Sequence, residues 1–282
     1  MRHLYKAVFA ATLSACAVSA HAASVSQPGE TVGIAAGAPA PDGVYFIDTF
    51  NFGRRSATGG ATDVGVNIPV LFWATPARLF GAHVGLLVAI PELWVSPTGG
   101  RTQSGFTDPW LASVFAWDIG NGLGFSYMPA VYIPSGTNLD RQTTTFNQRF
   151  GLSYTANGYN LTANLLHGII AGPQFANGTH YTDYLNLDLT ATKKFGKWEF
   201  GPVAYASTDL PTNFAGYKSQ RQIAVGGLVG YAFDKFTLQA YVTRDVAQQN
   251  YGGADTRGWM RIIAPLYSDA PAVAPAPLLT KR

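Results

Sequence analysis

Segments of strand length, in which apolar and polar side chains alternate strictly, dominate the chain from about residue 42 onward. In segment 184–192, leucines and an alanine fall on one face, and Asn, Asp and Thr fall on the other. Segments 159–165 and 236–243 repeat the pattern. Because an extended strand turns successive side chains to opposite faces of its sheet, this alternation predicts strands with one apolar and one polar face. The chain is therefore predicted to be all-β.

Gly, Asn, Asp and Pro residues divide this region into twelve segments of strand length. The predicted strands are 44–52, 62–73, 82–94, 109–117, 122–133, 147–155, 159–169, 184–195, 198–208, 221–233, 236–244 and 258–267.

The connections between these segments alternate between short and long. Tight turns are predicted at 118–121, 156–158, 196–197 and 234–235, whereas the other links are longer and rich in Gly, Thr and Pro. The link at 76–78 is the one longer than this pattern predicts. Alternating turns and loops are typical of outer-membrane barrels, with short periplasmic turns and longer extracellular loops. Aromatic residues beside the short turns would form a girdle at the membrane interface, although a soluble β-sandwich also places aromatics near turns.

These patterns favour a transmembrane antiparallel up-and-down β-barrel of about twelve strands over a soluble sandwich. Composition agrees, since only 12% of the residues are charged while 13% are aromatic and 31 are glycine. No apolar run of 18 residues follows the first two dozen, which argues against a helical membrane protein. The formal charge is only +3, and no Lys/Arg cluster interleaves with aromatics, so no nucleic-acid partner is expected.

The first 22 residues have the pattern of a secretory signal peptide: a basic start, an apolar run and an Ala-x-Ala cleavage site at 20–22. Cys16 also fits a lipoprotein cleavage box, so acylation at this residue is an alternative to ordinary cleavage. It is the only cysteine, and no disulfide is expected in either case. Export and a barrel together predict the outer membrane of a Gram-negative bacterium, with membrane lipid as a partner.

The domain organisation predicted from these features has four parts. They are a signal peptide at 1–22, a flexible periplasmic segment at 23–41, the β-barrel at 42–267 and an Ala/Pro-rich tail at 268–282. The segment 23–41 is also rich in Ala, Gly and Pro. It is too short for a folded plug domain, so disorder in the periplasm is expected, with a partial stopper inside the lumen as the alternative.

Three short motifs resemble those of one family. They are Gly-x-x-Asp-Pro at 105–109, Pro-Ser-Gly at 134–136, and the stretch 177–183 that precedes the alternation of 184–192. In order and spacing they resemble the outer-membrane transporters named for the meta-cleavage pathway of phenol degradation (the MetA pathway). The resemblance covers residues 44–267 and implies a barrel that takes up aromatic or other small hydrophobic molecules. At 182–183, Thr-Asp stands where the family pattern has Ser-Gly, and the chain continues beyond its last predicted strand.

The alternation assigns a set of polar and charged side chains to the lumen. The lumen-facing candidates are Arg149, Asn164, Asn186, Asp188, Glu199, Gln239, Tyr241 and Arg261. In one interpretation the four charged members form a constriction that selects solutes. In the other they form an ion-pair network that braces the wall, because a lumen charge without a partner is costly.

The long loops carry a set of aromatic side chains. These candidates are Phe106, Trp110, Phe175, Tyr181, Phe214, Tyr217 and Tyr251. They could form an apolar vestibule that concentrates aromatic solutes, or they could lie at the outer lipid interface.

The sequence predicts no enzyme, since no nucleophile, base and acid fall together on neighbouring segments. No cofactor or metal site is predicted either. The leading hypothesis is a channel for passive uptake of small hydrophobic, including phenol-like, compounds. The alternative is a non-transporting structural or adhesive barrel whose loops bind partners. The sequence leaves the oligomeric state open.

Overall fold

The computed structural model describes residues 24–57, 60–176 and 178–268. The predicted signal peptide, Cys16 and residues 269–282 of the predicted tail lie outside this range. No helix in the described ranges is long and apolar enough to cross a membrane.

The described residues form sixteen strands. They are β1 Gly43–Ala57, β2 Gly60–Leu79, β3 Ala82–Ala89, β4 Glu92–Pro97, β5 Gln103–Phe106, β6 Trp110–Gly120, β7 Leu123–Tyr132, β8 Thr145–Tyr154, β9 Tyr159–Ile170, β10 Phe175–Ala176, β11 Thr179–His180, β12 Tyr184–Phe195, β13 Trp198–Asp209, β14 Arg221–Ala232, β15 Thr237–Gln249 and β16 Ala254–Ser268. A single 3-10 turn, Ala156–Gly158, joins β8 to β9.

The main sheet closes on itself, because β1 pairs antiparallel with both β2 and β16. Its neighbours follow one another around the wall as an up-and-down barrel. Strands β3 and β4 both pair with β2, so they form one position in the wall, interrupted at residues 90–91. Strands β5 and β6 likewise form one position, interrupted at residues 107–109. The predicted barrel of twelve antiparallel strands is therefore confirmed, and two of its strands are broken.

Proline marks both breaks, since Pro91 and Pro109 stand in these gaps and neither can donate a backbone hydrogen bond to a neighbouring strand. The predicted strand 82–94 is wrong in running through the first gap. Strand β5 was not predicted at all.

The link at 76–78, which was predicted to be longer than the other short connections, is not a link in the structure. The stretch 76–78, predicted as a link, lies within β2, which ends in a two-residue turn at Phe80 and Gly81. Both turn residues have positive φ angles, 50° and 79°. Such a turn matches the twist of the flanking strands. This connection is therefore short, as the alternation predicts, whereas the link between β1 and β2, which was predicted to be long, has only two residues, 58 and 59.

The outer surface is apolar, as alternation requires of a wall that meets lipid. Aromatic rings concentrate at the end with the short turns, where Trp117 stacks on Phe125 and Phe233 stacks on Phe236. Trp198 packs between Phe200 and Tyr231 at the same end. These rings lie where an interfacial girdle belongs.

The N-terminal segment lies inside the barrel. Residues 24–42, here called the plug, form a chain of tight turns that starts near the long loops and ends near the short turns. Its upper part contacts Asn186 and Tyr184 of β12, and its lower part contacts Ser153 of β8 and Ser126 of β7. The prediction of a flexible periplasmic segment is therefore wrong for residues 24–41, which the structure folds into the lumen. Residue 23 lies outside the described range.

Candidate functional site: a two-sided lumen

The inner face of the barrel has a polar half and an apolar half. The polar half comprises β8, β9 and β12–β16, and all eight predicted lumen candidates lie there as buried side chains. Their exposed fractions are between 0 and 6%. They are Arg149, Asn164, Asn186, Asp188, Glu199, Gln239, Tyr241 and Arg261.

Arg261 is the central anchor of the plug. It is fully buried, with 0% of its surface exposed. Its two terminal nitrogens donate hydrogen bonds to the backbone carbonyls of Glu30 and Val32. Tyr241 and Gln239 support the same turn, donating to the carbonyls of Gly29 at 3.0 Å and of Gly33 at 3.1 Å. A guanidinium with several donors in a fixed fork can satisfy neighbouring carbonyls that water does not reach.

A second anchor is Asp188, which accepts three hydrogen bonds from the plug. The backbone N–H of Gly29 donates to it at 2.8 Å, and the N–H and hydroxyl of Thr31 donate at 2.9 and 2.7 Å. Asn164 completes the cluster by donating to the Thr31 hydroxyl at 2.9 Å. The carboxylate is thus satisfied by the plug, without a cation.

The remaining charged candidates are also engaged. Arg149 forms an ion pair with Glu30 of the plug at 2.8 Å. Glu199 accepts hydrogen bonds from Thr192 and Gln239. Within the described chain, no ion pair joins any two of the four charged candidates. The expected mutual network is therefore replaced by contacts with the plug and neighbouring polar side chains.

The apolar half of the inner face, from β1 to β7, encloses a cavity of about 630 Å³ between itself and the plug. We call its lining the apolar wall. Its members are Val64, Val66, Ile68, Val70, Phe72, Leu87, Leu93, Val95, Val114 and Met128. On β2 alone it extends from Val64 to Phe72, about 26 Å at 3.3 Å per residue.

The apolar wall was not predicted, because its strands do not show the alternation from which the lumen-facing side chains were assigned. Segment 64–74 is almost uninterrupted in apolar residues, so β2 is apolar on both faces: Leu71 and Trp73 point outward while Val70 and Phe72 line the cavity. A continuous apolar run is the signal of a strand that is covered on both sides. That signal is present in segment 64–74 and indicates a lumen that is not polar all round, contrary to the polar lumen expected from the alternation.

Polar groups lie at both ends of the cavity. At the end with the long loops the lining includes Arg55, Arg101, Arg141 and Arg257, together with three aspartates. At the end with the short turns it includes Asp42, Thr75 and His83. Within the described residues, no cluster of His, Cys, Asp and Glu could hold a metal ion.

The predicted loop aromatics divide into two groups. Trp110, Tyr181 and Tyr251 are buried and line the cavity at its loop end. Phe106, Phe175 and Phe214 are exposed, and Phe214 stacks on Phe175. Tyr217 is half-buried and donates to Asp209 at 2.6 Å. Three members of the set therefore lie where a vestibule would be, and three are exposed.

Asp108 lies in the connection between β5 and β6, outside the strands, with 1% of its surface exposed. The backbone N–H groups of Ser135 and Arg141 approach its carboxylate, but neither is aligned well enough to form a regular hydrogen bond with it. Burial raises the pKa of this carboxyl from 3.8 to about 6, because the nearby Arg141 guanidinium offsets only part of the lost hydration and Asp140 adds repulsion.

Asp108→Asn is therefore expected to stabilise the barrel above pH 6. A carboxyl whose folded pKa is raised loses stability as the pH rises from its unfolded value to its folded one, and above that window the penalty is constant. Asparagine never ionises and removes the penalty. Urea unfolding in lipid vesicles should show a gain on the order of 1–2 kcal/mol at pH 7.5 and no gain at pH 4. An equal effect at both pH values would contradict the assignment.

A closed barrel of twelve antiparallel strands, apolar on the outside and occupied by its own N-terminal segment, defines the class: a transmembrane β-barrel of the outer-membrane type. Within that class, the chain belongs to the family described as "Putative MetA-pathway of phenol degradation", whose model matches residues 48–262. The resemblance found in the sequence is thereby confirmed. No curated protein sequence matches the chain significantly.

Of the solved structures that are similar to this chain, one has the same fold and two others superpose less well. An outer membrane channel from Pseudomonas putida F1 superposes with a TM-score of 0.68 at 11% identity, covering 85% of this chain and 99% of that chain. The NanC porin gives a TM-score of 0.48 at 10% identity, covering 78% of this chain and 98% of that chain. The translocator domain of the autotransporter NalP from Neisseria meningitidis gives 0.44 at 12% identity, covering 80% and 88%. At this identity the first likeness establishes the fold.

Proposed function

We propose that the protein is an outer-membrane channel that binds small apolar molecules, including phenol-like aromatics, in the cavity beside the plug and lets them pass without energy input. The observation that carries the proposal is the apolar wall. A lumen built for ions and sugars is polar, whereas this one presents aliphatic side chains to a cavity inside the barrel.

The size and shape of the cavity support this use. Its volume of about 630 Å³ lies within the range of small-molecule sites, which are mostly apolar with a few polar groups. Its lining reaches from Arg101 and Gln103 near the long loops to Asp42 near the short turns. A molecule that enters at one end can therefore follow one continuous apolar surface towards the other.

Two further findings support the proposal. The plug fills the polar half of the lumen, so the route left beside it is the apolar one. The family to which the chain belongs is described by the degradation of phenol, and a relative in fold is named an outer membrane channel. The alternative, a structural or adhesive barrel that binds through its loops, gives no reason for an apolar cavity inside the wall.

Ile68→Trp is expected to slow the uptake of phenol into proteoliposomes by about tenfold or more. Ile68 lies in the middle of the apolar wall and lines the cavity. An indole at this position occupies space that a solute needs, and its ring adds about one small aromatic molecule's volume to the wall. The measurement is the initial rate of radiolabelled phenol uptake, corrected for diffusion through protein-free vesicles.

The matched control is Ile223→Trp on β14. Ile223 faces the lipid side with about half its surface exposed, so a tryptophan there leaves the cavity unchanged. Uptake in this variant should equal that of the parent protein. Equal uptake in the Ile68 variant would show that solutes do not pass through the cavity.

A further inference from the structure

Arg55 is a buried cation whose N–H donors lack hydrogen-bond acceptors among the described residues. It lies near the loop end of β1, with 8% of its surface exposed, and it lines the cavity. None of its five N–H donors forms a hydrogen bond with a described residue, and its Nε is fully buried. A buried guanidinium usually has its donors satisfied, because leaving them unmade costs free energy.

The nearest carboxylate is already committed to another arginine. Asp255 lies 3.8 Å from Arg55, too far for a hydrogen bond, but accepts one from Arg257 at 2.6 Å. Arg257 is satisfied further by Asn51 and by the carbonyl of Val64. Two arginines therefore form ion pairs with one aspartate, and only Arg257 is also hydrogen-bonded to it.

The other neighbours of Arg55 hold it in place without satisfying its donors. Its guanidinium lies 4.8 Å from the centre of the Tyr251 ring, an arrangement that fixes the cation but uses no N–H group. Asp245 accepts hydrogen bonds from Gln222 and from the backbone of Asp255. Arg55 is thus oriented beside the cavity with its terminal nitrogens available.

We infer that Arg55 is the head-group site of the cavity, where it binds the carboxylate of an amphipathic cargo whose apolar body lies along the apolar wall. The inference rests on the proposed function and narrows its substrate class from apolar molecules in general to apolar acids. The planar fork of a guanidinium matches the two oxygens of a carboxylate, and such paired hydrogen bonds are stronger than those to a neutral hydroxyl.

The position of Arg55 fits a ligand with two chemically different ends. Thr62 and Val64, which begin the cavity lining on β2, are at the same end of the barrel, since Thr62 pairs with Arg55. From there the apolar wall continues towards the short turns. A carboxylate held at Arg55 would place its hydrocarbon or aromatic portion directly against that wall.

Binding of two matched ligands to the full-length mature barrel tests the inference. The ligands are 3-phenylpropanoate and 3-phenylpropan-1-ol, which share an apolar body and differ in the head group. Isothermal titration calorimetry at pH 7.5 should show that the acid binds more tightly than the alcohol by at least about tenfold, or about 1.4 kcal/mol. Arg55→Met should abolish that preference by weakening acid binding alone.

The control is Arg54→Met on the same strand. Arg54 points outward, with 63% of its side chain exposed, and this variant should keep the full preference for the acid. Arg55→Lys retains the positive charge but loses the paired N–H donors of the guanidinium, so it should keep only part of the preference for the acid. If Arg55→Met does not fold, this reduced preference in Arg55→Lys provides the test.

The outcomes separate the two proposals. If neither ligand binds the parent protein, the apolar cavity is not a binding site and both proposals fail. If both ligands bind equally well, or if the acid binds the Arg55 variants as tightly as the parent, the cavity function stands and the head-group site is overturned.

Discussion

Deletion of residues 24–40 is expected to raise the single-channel conductance of the protein several-fold. In the intact barrel these residues cover the polar half of the lumen, where Arg261, Asp188 and Arg149 hold them. Without them the same side chains would face water. A barrel of twelve strands is wider than an eight-stranded barrel, whose interior is filled by side chains, and narrower than a porin of sixteen strands, so it can hold an aqueous pore of intermediate width. Planar-bilayer recordings in molar salt measure the change directly.

The shortened chain retains every strand of the barrel, so its folding can be verified independently. Its band on an unheated gel should migrate as a compact barrel, as that of the parent does. Steady large currents from such a folded preparation would establish that residues 24–40 close the lumen. Unchanged conductance in a folded deletion variant would mean that the long loops, rather than the plug, close the channel.

Arg261→Met is expected to lower the free energy of unfolding by roughly 3–5 kcal/mol. The guanidinium is fully buried and donates to two plug carbonyls, to the Thr49 hydroxyl at 2.8 Å and to the Tyr241 hydroxyl at 3.1 Å. Methionine fills a similar volume but leaves those buried oxygens without donors. Urea unfolding in lipid vesicles, followed by tryptophan fluorescence, gives the free energy.

Arg244→Met on β15 is the matched control. Arg244 is exposed and donates only to the Thr256 hydroxyl, so its replacement should change the free energy by no more than about 0.5 kcal/mol. Because Arg261 holds the plug, its variant should also show more frequent openings in bilayer recordings. If Arg261→Met lowers the free energy of unfolding by no more than Arg244→Met does, Arg261 does not hold the plug.

The barrel could be predicted from sequence because its signals are local. Alternation within segments such as 184–192 reports the two faces of one strand, and turn residues such as Asn157 and Gly158 mark where the chain reverses. Closure follows from the requirement that no strand edge be left unpaired in lipid. Neither signal depends on contacts between residues that are distant in the sequence.

The plug could not be predicted in the same way because its partners are distant in the sequence. Thr31 meets Asp188 and Asn164, which lie more than 130 residues away, and no periodic pattern in the plug reports such contacts. Its small residues are the one trace of this packing. A Cβ atom on Gly37 would lie 2.6 Å from the backbone nitrogen of Ser153, so the close approach of the plug to the wall requires glycine.

The interpretation of the charged candidates was incomplete for the same reason. Alternation placed Arg149, Asp188, Glu199 and Arg261 on one face, but the sequence offered only each other as partners. The plug supplies the missing groups, the Glu30 carboxylate for Arg149 and backbone N–H groups for Asp188. Once the segment is inside the lumen, each buried charge among the four has a partner.

The central claim is that apolar solutes occupy the cavity between the plug and the apolar wall. A crystal structure of the protein soaked with 4-bromophenol tests it most directly, because the anomalous signal of bromine locates the ligand without interpretation of weak density. If apolar solutes occupy this cavity, a bromine peak is expected inside the barrel, within van der Waals contact of Ile68 and Val70. Bromine found only on the outer face or among the exposed loop aromatics, with the cavity empty, would contradict it.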